Sequence, residues 1–213
     1  MGADRIMAKI FSRKRIVLKI IISLCLVLMI TGIAACGLGK QTEQTKITIS
    51  KDGMVSMQII ESFDKPYYNQ DELRQKVLTE VANYNRNVGN GNISVEKVEV
   101  KNQYAKVIMV YAGPEDYAQF NGNTFFIGST TEAQEAGYDL NTVLSGTEDT
   151  METIGMSDIL MMTDYRILIT DSKEPITLDG KADYISDNVT VSKNKKTITL
   201  AQETDMLAYV IFQ

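Results

Sequence analysis

Residues 46-KITISKDGMVSMQIIES-62 decide the fold class of this chain. Apolar and polar side chains alternate on both sides of Asp52-Gly53, and a period of two marks strands with one buried face. Asp-Gly between two such runs signals a hairpin, because Gly reaches the positive φ that a tight reversal demands. The stretch therefore predicts antiparallel strands at 46 to 50 and 54 to 62.

Downstream, Asn69-Gln70-Asp71-Glu72 places a capping residue three positions before a Glu, and Leu73, Val77, Val81 and Tyr84 follow at helical spacing. That pattern predicts an amphipathic helix over about 70 to 86, ended by the turn-forming NRNVGNGN. ISVEKVEV and YAKVIMVY flank Lys101-Asn102-Gln103 and predict a second hairpin over 93 to 111. Gly113-Pro114-Glu115-Asp116 opens a short helix reaching about Asn121, with Pro in its first turn. A strand at 124 to 128 and a helical turn near 131 to 136 follow, and 137 to 158 has no clean period. Short β-rich runs then recur at 165 to 170, 174 to 178, 187 to 192, 196 to 200 and 206 to 212, the last expected to be paired to its end. The class implied is α+β: mainly antiparallel sheet with one long amphipathic helix and a β-rich C-terminal part.

The amino-terminal stretch carries different information. Arg5, Lys9, Arg13, Lys14, Arg15 and Lys19 stand against one acid, Asp4, an asymmetry that holds a segment in the cytoplasm. Met7 offers a second start just before this cluster. Ile20 to Ile30, IIISLCLVLMI, has the length of a signal-peptide apolar core. Ile33-Ala34-Ala35-Cys36 then resembles the lipobox of bacterial lipoprotein precursors, over residues 1 to about 38. The resemblance implies a diacylglyceryl group on the Cys36 thiol and cleavage before it by signal peptidase II, with Ile33, Ala34 and Ala35 as recognition residues. Ile33 stands where Leu is commonest in that family. The same residues also suit an uncleaved anchor, since Ile20 to Gly39 carries no charge and about 20 apolar residues cross a bilayer. Both alternatives place the rest of the chain on the outer face of the cell membrane.

The resulting layout is a lipoprotein signal peptide at 1–35, a lipidated Cys36 with flexible tether at 36–44, and an extracytoplasmic domain at 45–213. That domain is one body, or two small lobes at 45–128 and 159–213. Of 22 basic and 27 acidic residues, six and one precede Cys36, leaving 16 against 26, a balance of about −10. A nucleic-acid partner is disfavoured, because phosphate binding requires a basic patch. Cys25 leaves with the signal peptide and Cys36 takes the lipid, so no disulfide is expected in the domain.

The chain has no His, which removes the commonest general base and transition-metal ligand. Ser-His-Asp, Cys-His and Cys/His zinc sites are excluded with it. Carboxylate pairs remain, among them Glu115 with Asp116 and Glu148 with Asp149, but glycosidic cleavage needs two carboxyls facing across a cleft. Asp179, Asp183 and Asp187 fall at positions 1, 5 and 9 of a calcium-type loop that lacks its position-3 ligand and closing Glu, and they read as turn residues. Met151, Met156, Met161 and Met162 lack any His or Cys co-ligand for copper(I) and read as core filler. Tyr67, Tyr68, Tyr111 and Tyr117 flank element ends and read as half-buried residues at sheet ends, with a recognition surface as the alternative. No cofactor is expected.

The expected function is a non-enzymatic binding or interaction module of the cell envelope, anchored to the membrane by lipid and meeting a protein, glycan or small-molecule partner. A small solute-binding lipoprotein of a transport system and a carboxylate-dependent hydrolase are the alternatives.

Overall fold

The computed structural model describes residues 43–89 and 91–213. Cys36, the residues before it and the apolar run lie outside the described residues. The opening hairpin forms as its pattern requires: strands β1 (Lys46–Ile49) and β2 (Val55–Ser62) pair with Lys46 opposite Gln58 and Ile49 opposite Val55. Gly53 turns the chain at φ 83°, and its N–H donates to the Ser50 carbonyl at 3.0 Å.

Helix α1 (Gln70–Val88) starts where its cap predicts, the Asn69 side-chain oxygen accepting from the N–H groups of Asp71 and Glu72 at 2.8 and 3.3 Å. Of Leu73, Val77, Val81 and Tyr84, Val81 alone is fully buried, and the others are partly covered against the core. The second hairpin joins β3 (Ile93–Lys101) to β4 (Tyr104–Tyr111) through Asn102 and Gln103, both at positive φ (51° and 64°), the geometry that matches strand twist in a two-residue turn. β4 also pairs along all of β2, from Val55 opposite Tyr111 to Ser62 opposite Tyr104.

Beyond it come helix α2 (Pro114–Asn121), strand β5 (Phe125–Ser129) and helix α3 (Thr130–Glu135), whose Ser129 and Glu132 form a reciprocal capping box. The segment without a sequence period contains β6 (Leu144–Gly146), β7 (Thr153–Ile154) and helix α4 (Met156–Met161). The C-terminal runs become β8 (Arg166–Thr170), β9 (Ile176–Thr177), β11 (Val189–Val191), β12 (Thr197–Leu200) and β13 (Ala208–Phe212). Between them lies β10 (Ala182–Ile185), so the expectation of a turn from Asp179 to Asp187 is corrected: Asp183 sits in a strand.

Thirteen strands among the described residues make two sheets. The first runs β11-β12-β9-β1-β2-β4-β3 and the second β5-β8-β13-β10-β6-β7. Every pairing is antiparallel except β1 with β9, where Ile47 lies opposite Ile176. The sheets do not follow the halves of the sequence, because β9, β11 and β12 complete the sheet begun at Lys46. The domain is α+β with mostly antiparallel sheets, and residues 43–213 form one unit.

Alternation along the strands explains the layering. Ile47, Ile49, Val55, Val107 and Met109 from the first sheet share a core cluster with Val81 of α1 and with Leu168, Val210 and Phe212 of the second. The intervening side chains Ile167, Ile169 and Ile211 point the other way, into a second cluster with Ala133, Leu140, Leu144 and Ile159. The second sheet is therefore covered on both faces, which is why β8 and β13 are almost continuously apolar. The last strand is held to its end: Lys181 N–H donates to the Gln213 carbonyl at 2.8 Å and Gln213 N–H to Lys181 at 3.2 Å.

Candidate functional site

Several of the carboxylates nominated from sequence make contacts of their own within the structure. Asp116, in the first turn of α2, accepts from the Tyr84 hydroxyl at 2.9 Å and from Asn92 Nδ2 at 2.8 Å, tying α1 and the start of β3 to α2. Glu148 pairs with Lys195 at 2.6 Å, which holds its carboxyl below the usual range. Asp149 accepts from the Met151 N–H at 2.9 Å in a turn. Asp179 is paired with Arg166, and Asp187 is exposed.

Two acids that no local pattern joins do come together. Glu61, near the end of β2, and Glu174, just before β9, are 113 positions apart, yet the charge of Glu61 adds to burial in raising the Glu174 carboxyl above its usual range. Glu61 is itself raised by burial. Parallel pairing of β9 with β1, and antiparallel pairing of β1 with β2, bring them to one end of the sheet.

The tyrosines divide. Tyr111 and Tyr117 are fully buried rather than half-buried, their rings edge-to-face at 5.1 Å and continuing to Phe120 and Phe125 at 5.9 and 4.6 Å. Burial raises both phenols. Tyr67, by contrast, is 73% exposed and lies edge-on to Tyr68 at 5.0 Å, which in turn meets Phe63 at 4.8 Å.

The reading of the methionines as core filler is corrected most clearly. Met151 is 89% exposed, Met161 72% and Met156 39%; only Met162 packs against the second cluster. Their positions follow from the edge of the second sheet. β7 is its last strand, Leu144 opposite Ile154, so Val143, 65% exposed, stands beside the junction where α4 begins with Met156. Met151 occupies the β6–β7 turn and Met161 the end of α4. Thioether chains suit such a surface, being flexible and polarizable enough to adapt to varied partners.

Charge marks the same region. Residues 107 to 165 contain ten acids and no Lys or Arg. Several of those acids rim the edge: Glu152 accepts from the Tyr184 hydroxyl at 2.7 Å and Asp158 from the Gly155 N–H at 3.1 Å. The edge thus offers apolar side chains beside several acids, one of which, Glu148, is met by Lys195 from the β11–β12 turn. This base-free interval is legible in the sequence alone.

Among the described residues no group of three His, Cys, Asp or Glu is placed to hold a metal ion, and no helix is long and apolar enough to cross a membrane. No family model, no curated protein and no solved structure matches this chain.

Proposed function

We propose that this chain is a membrane lipoprotein, anchored through Cys36 on the outer face of the cell membrane, whose domain is a non-enzymatic binding module engaging a partner through the β6–β7–α4 edge. The observation that carries the reading is the exposure of Met151 and Met161, at 89% and 72%, within an interval that has no basic residue. Burying one such side chain is worth about 1.5–3 kcal/mol, so a few suffice to anchor an interface. The acids around them favour a partner that presents basic side chains beside apolar ones. In this reading α1 is an amphipathic cover for the first sheet, supported by Leu73, Val77, Val81 and Tyr84 against the core.

The test joins anchoring to binding. Cys36→Ser is expected to leave an unlipidated, uncut precursor that runs larger on a gel; a mature-sized membrane product from that variant refutes the lipobox reading. In intact cells, a photo-crosslinking side chain at Met161 is expected to trap a discrete adduct, whereas one at Leu78 on α1 traps none. Equal yields from the two positions remove the edge as the interface.

The Glu61–Glu174 pair favours a second reading, a carboxylate-dependent hydrolase. It requires Glu174→Gln to abolish turnover of a glycan or peptide substrate, and the absence of any turnover in the unaltered protein excludes it.

A further inference from the structure

We infer that the loop 63-FDKPYY-68 is a membrane-contact element that seats the domain on the headgroup region of the bilayer carrying its anchor. The inference rests on the lipoprotein reading above and adds an orientation to it.

The first observation is where the chain enters the domain. Glu43 pairs with Lys106 at 2.7 Å, Gln44 carbonyl accepts from Gln58 Nε2 at 3.0 Å, and Thr45 Oγ1 accepts from the Ile60 N–H at 2.9 Å. These contacts lay the entering segment along the late part of β2, toward Ser62. The aromatic loop leaves the same end, the Phe63 N–H donating to the Gln103 carbonyl in the β3–β4 turn at 2.6 Å. The hairpin turn at Gly53 is at the other end of β2, a strand about 23 Å long at ~3.3 Å per residue.

Reach supplies the second step. Cys36 and Glu43 are seven positions apart and span at most about 25 Å when the chain is fully extended. A lipid on Cys36 therefore holds this end of the first sheet within about 25 Å of the bilayer.

Side-chain chemistry at that end fits the interface. Tyr67 is 73% exposed yet braced by Tyr68 and Phe63, a preformed aromatic group that loses little freedom on contact. Tyr side chains prefer the headgroup level, where the ring meets apolar matter and the hydroxyl meets water. Lys65 stands within the loop, paired with Asp64 at 3.5 Å, and Lys101 ends β3 beside the neighbouring turn. Residues 43 to 106 hold nine bases and nine acids, so this part meets less repulsion from anionic lipid than 107 to 165. The acidic methionine edge, formed within 107 to 165, is left for a protein partner.

The chain contains no Trp, so one introduced Trp is a unique reporter. Full-length Tyr67→Trp and Met54→Trp proteins, extracted with their anchor, are reconstituted into phosphatidylcholine–phosphatidylglycerol vesicles bearing a nitroxide at the headgroup. Met54 is 40% exposed beside the Gly53 turn and serves as the distal control. The expected result is a blue-shifted emission for Tyr67→Trp and quenching several-fold stronger than for Met54→Trp. Equal, weak quenching of both variants, with the protein still in the vesicle fraction and acyl mass on its Cys36 peptide, overturns the contact and leaves the anchor intact. Recovery of both proteins in the aqueous fraction, without acyl mass, overturns the anchor reading and the contact with it.

Discussion

Removing the Arg166 side chain tests the account of how the two ends of the C-terminal half are locked together. One guanidinium nitrogen of Arg166 donates to both carboxylate oxygens of Asp179 at 2.6 Å, and the guanidinium lies 4.6 Å from the Phe212 ring centroid. Asp179 is 8% exposed and Arg166 36%, so the carboxylate is the member shut away from water. In Arg166→Ala that carboxylate keeps its desolvation and loses its cation. Breaking a fully buried pair costs about 3–5 kcal/mol; the partly open arginine moves this site to about 2–3 kcal/mol. Loss of the stack on Phe212 adds about 0.5–1 kcal/mol, giving roughly 3 kcal/mol in all. Arg166→Lys keeps the charge but loses the planar contact, and is expected to cost about 1 kcal/mol. Urea unfolding followed by far-ultraviolet circular dichroism measures each change. Asp179→Asn completes a double-mutant cycle with Arg166→Ala. A cost below about 1 kcal/mol for Arg166→Ala, or a coupling energy near zero in the cycle, refutes the reasoning.

Two further outcomes follow from the same structure. Gly180→Ala is expected to lower the melting temperature, costing about 1–3 kcal/mol, because a Cβ there would collide with the Gln213 carbonyl; Gly155→Ala, with open space around it, serves as the near-neutral control. Glu174→Gln is expected to stabilise the protein at neutral pH and to lose that advantage below about pH 4. The sign follows from burial and the Glu61 charge: the folded carboxyl titrates above its unfolded value, so the native state binds more protons and stability falls as pH rises between the two values. Thermal melts from pH 3 to 8 measure it, and a pH-independent difference between variant and parent refutes it.

Elements with several repeats of their own period were readable in the sequence. β2, β3 and β4 each run eight or nine residues, enough for alternation to stand out, and the start of α1 is marked by its Asn69 cap. β6 and β7, of three and two residues, carry no period at all, and their pairing exists only because Leu144 meets Ile154 across a turn. β10 was hidden by chemistry rather than length, since Asp183 among neighbouring acids reads as a loop while Ala182 beside it is fully buried. The candidate edge was obscured by a general habit of methionine, which fills cores in most settings and here stands in solvent at Met151 and Met161. No local signal joins Glu61 to Glu174, because their proximity is a product of sheet order alone.

The parallel pairing of Ile47 with Ile176 has a consequence in time. It joins positions 129 apart, so the first strand among the described residues waits for a partner near the carboxyl end. Contacts this distant in sequence must absorb their closure entropy before they stabilise anything, and chains that depend on them fold slowly. When the chain emerges amino terminus first, β1 and β2 appear early with one flank unpaired, and that flank stays open until β9 arrives. An open strand edge is a template for pairing with another chain. The interval between the emergence of Lys46 and of Thr177 is thus the period in which this protein depends most on being kept apart from its own copies.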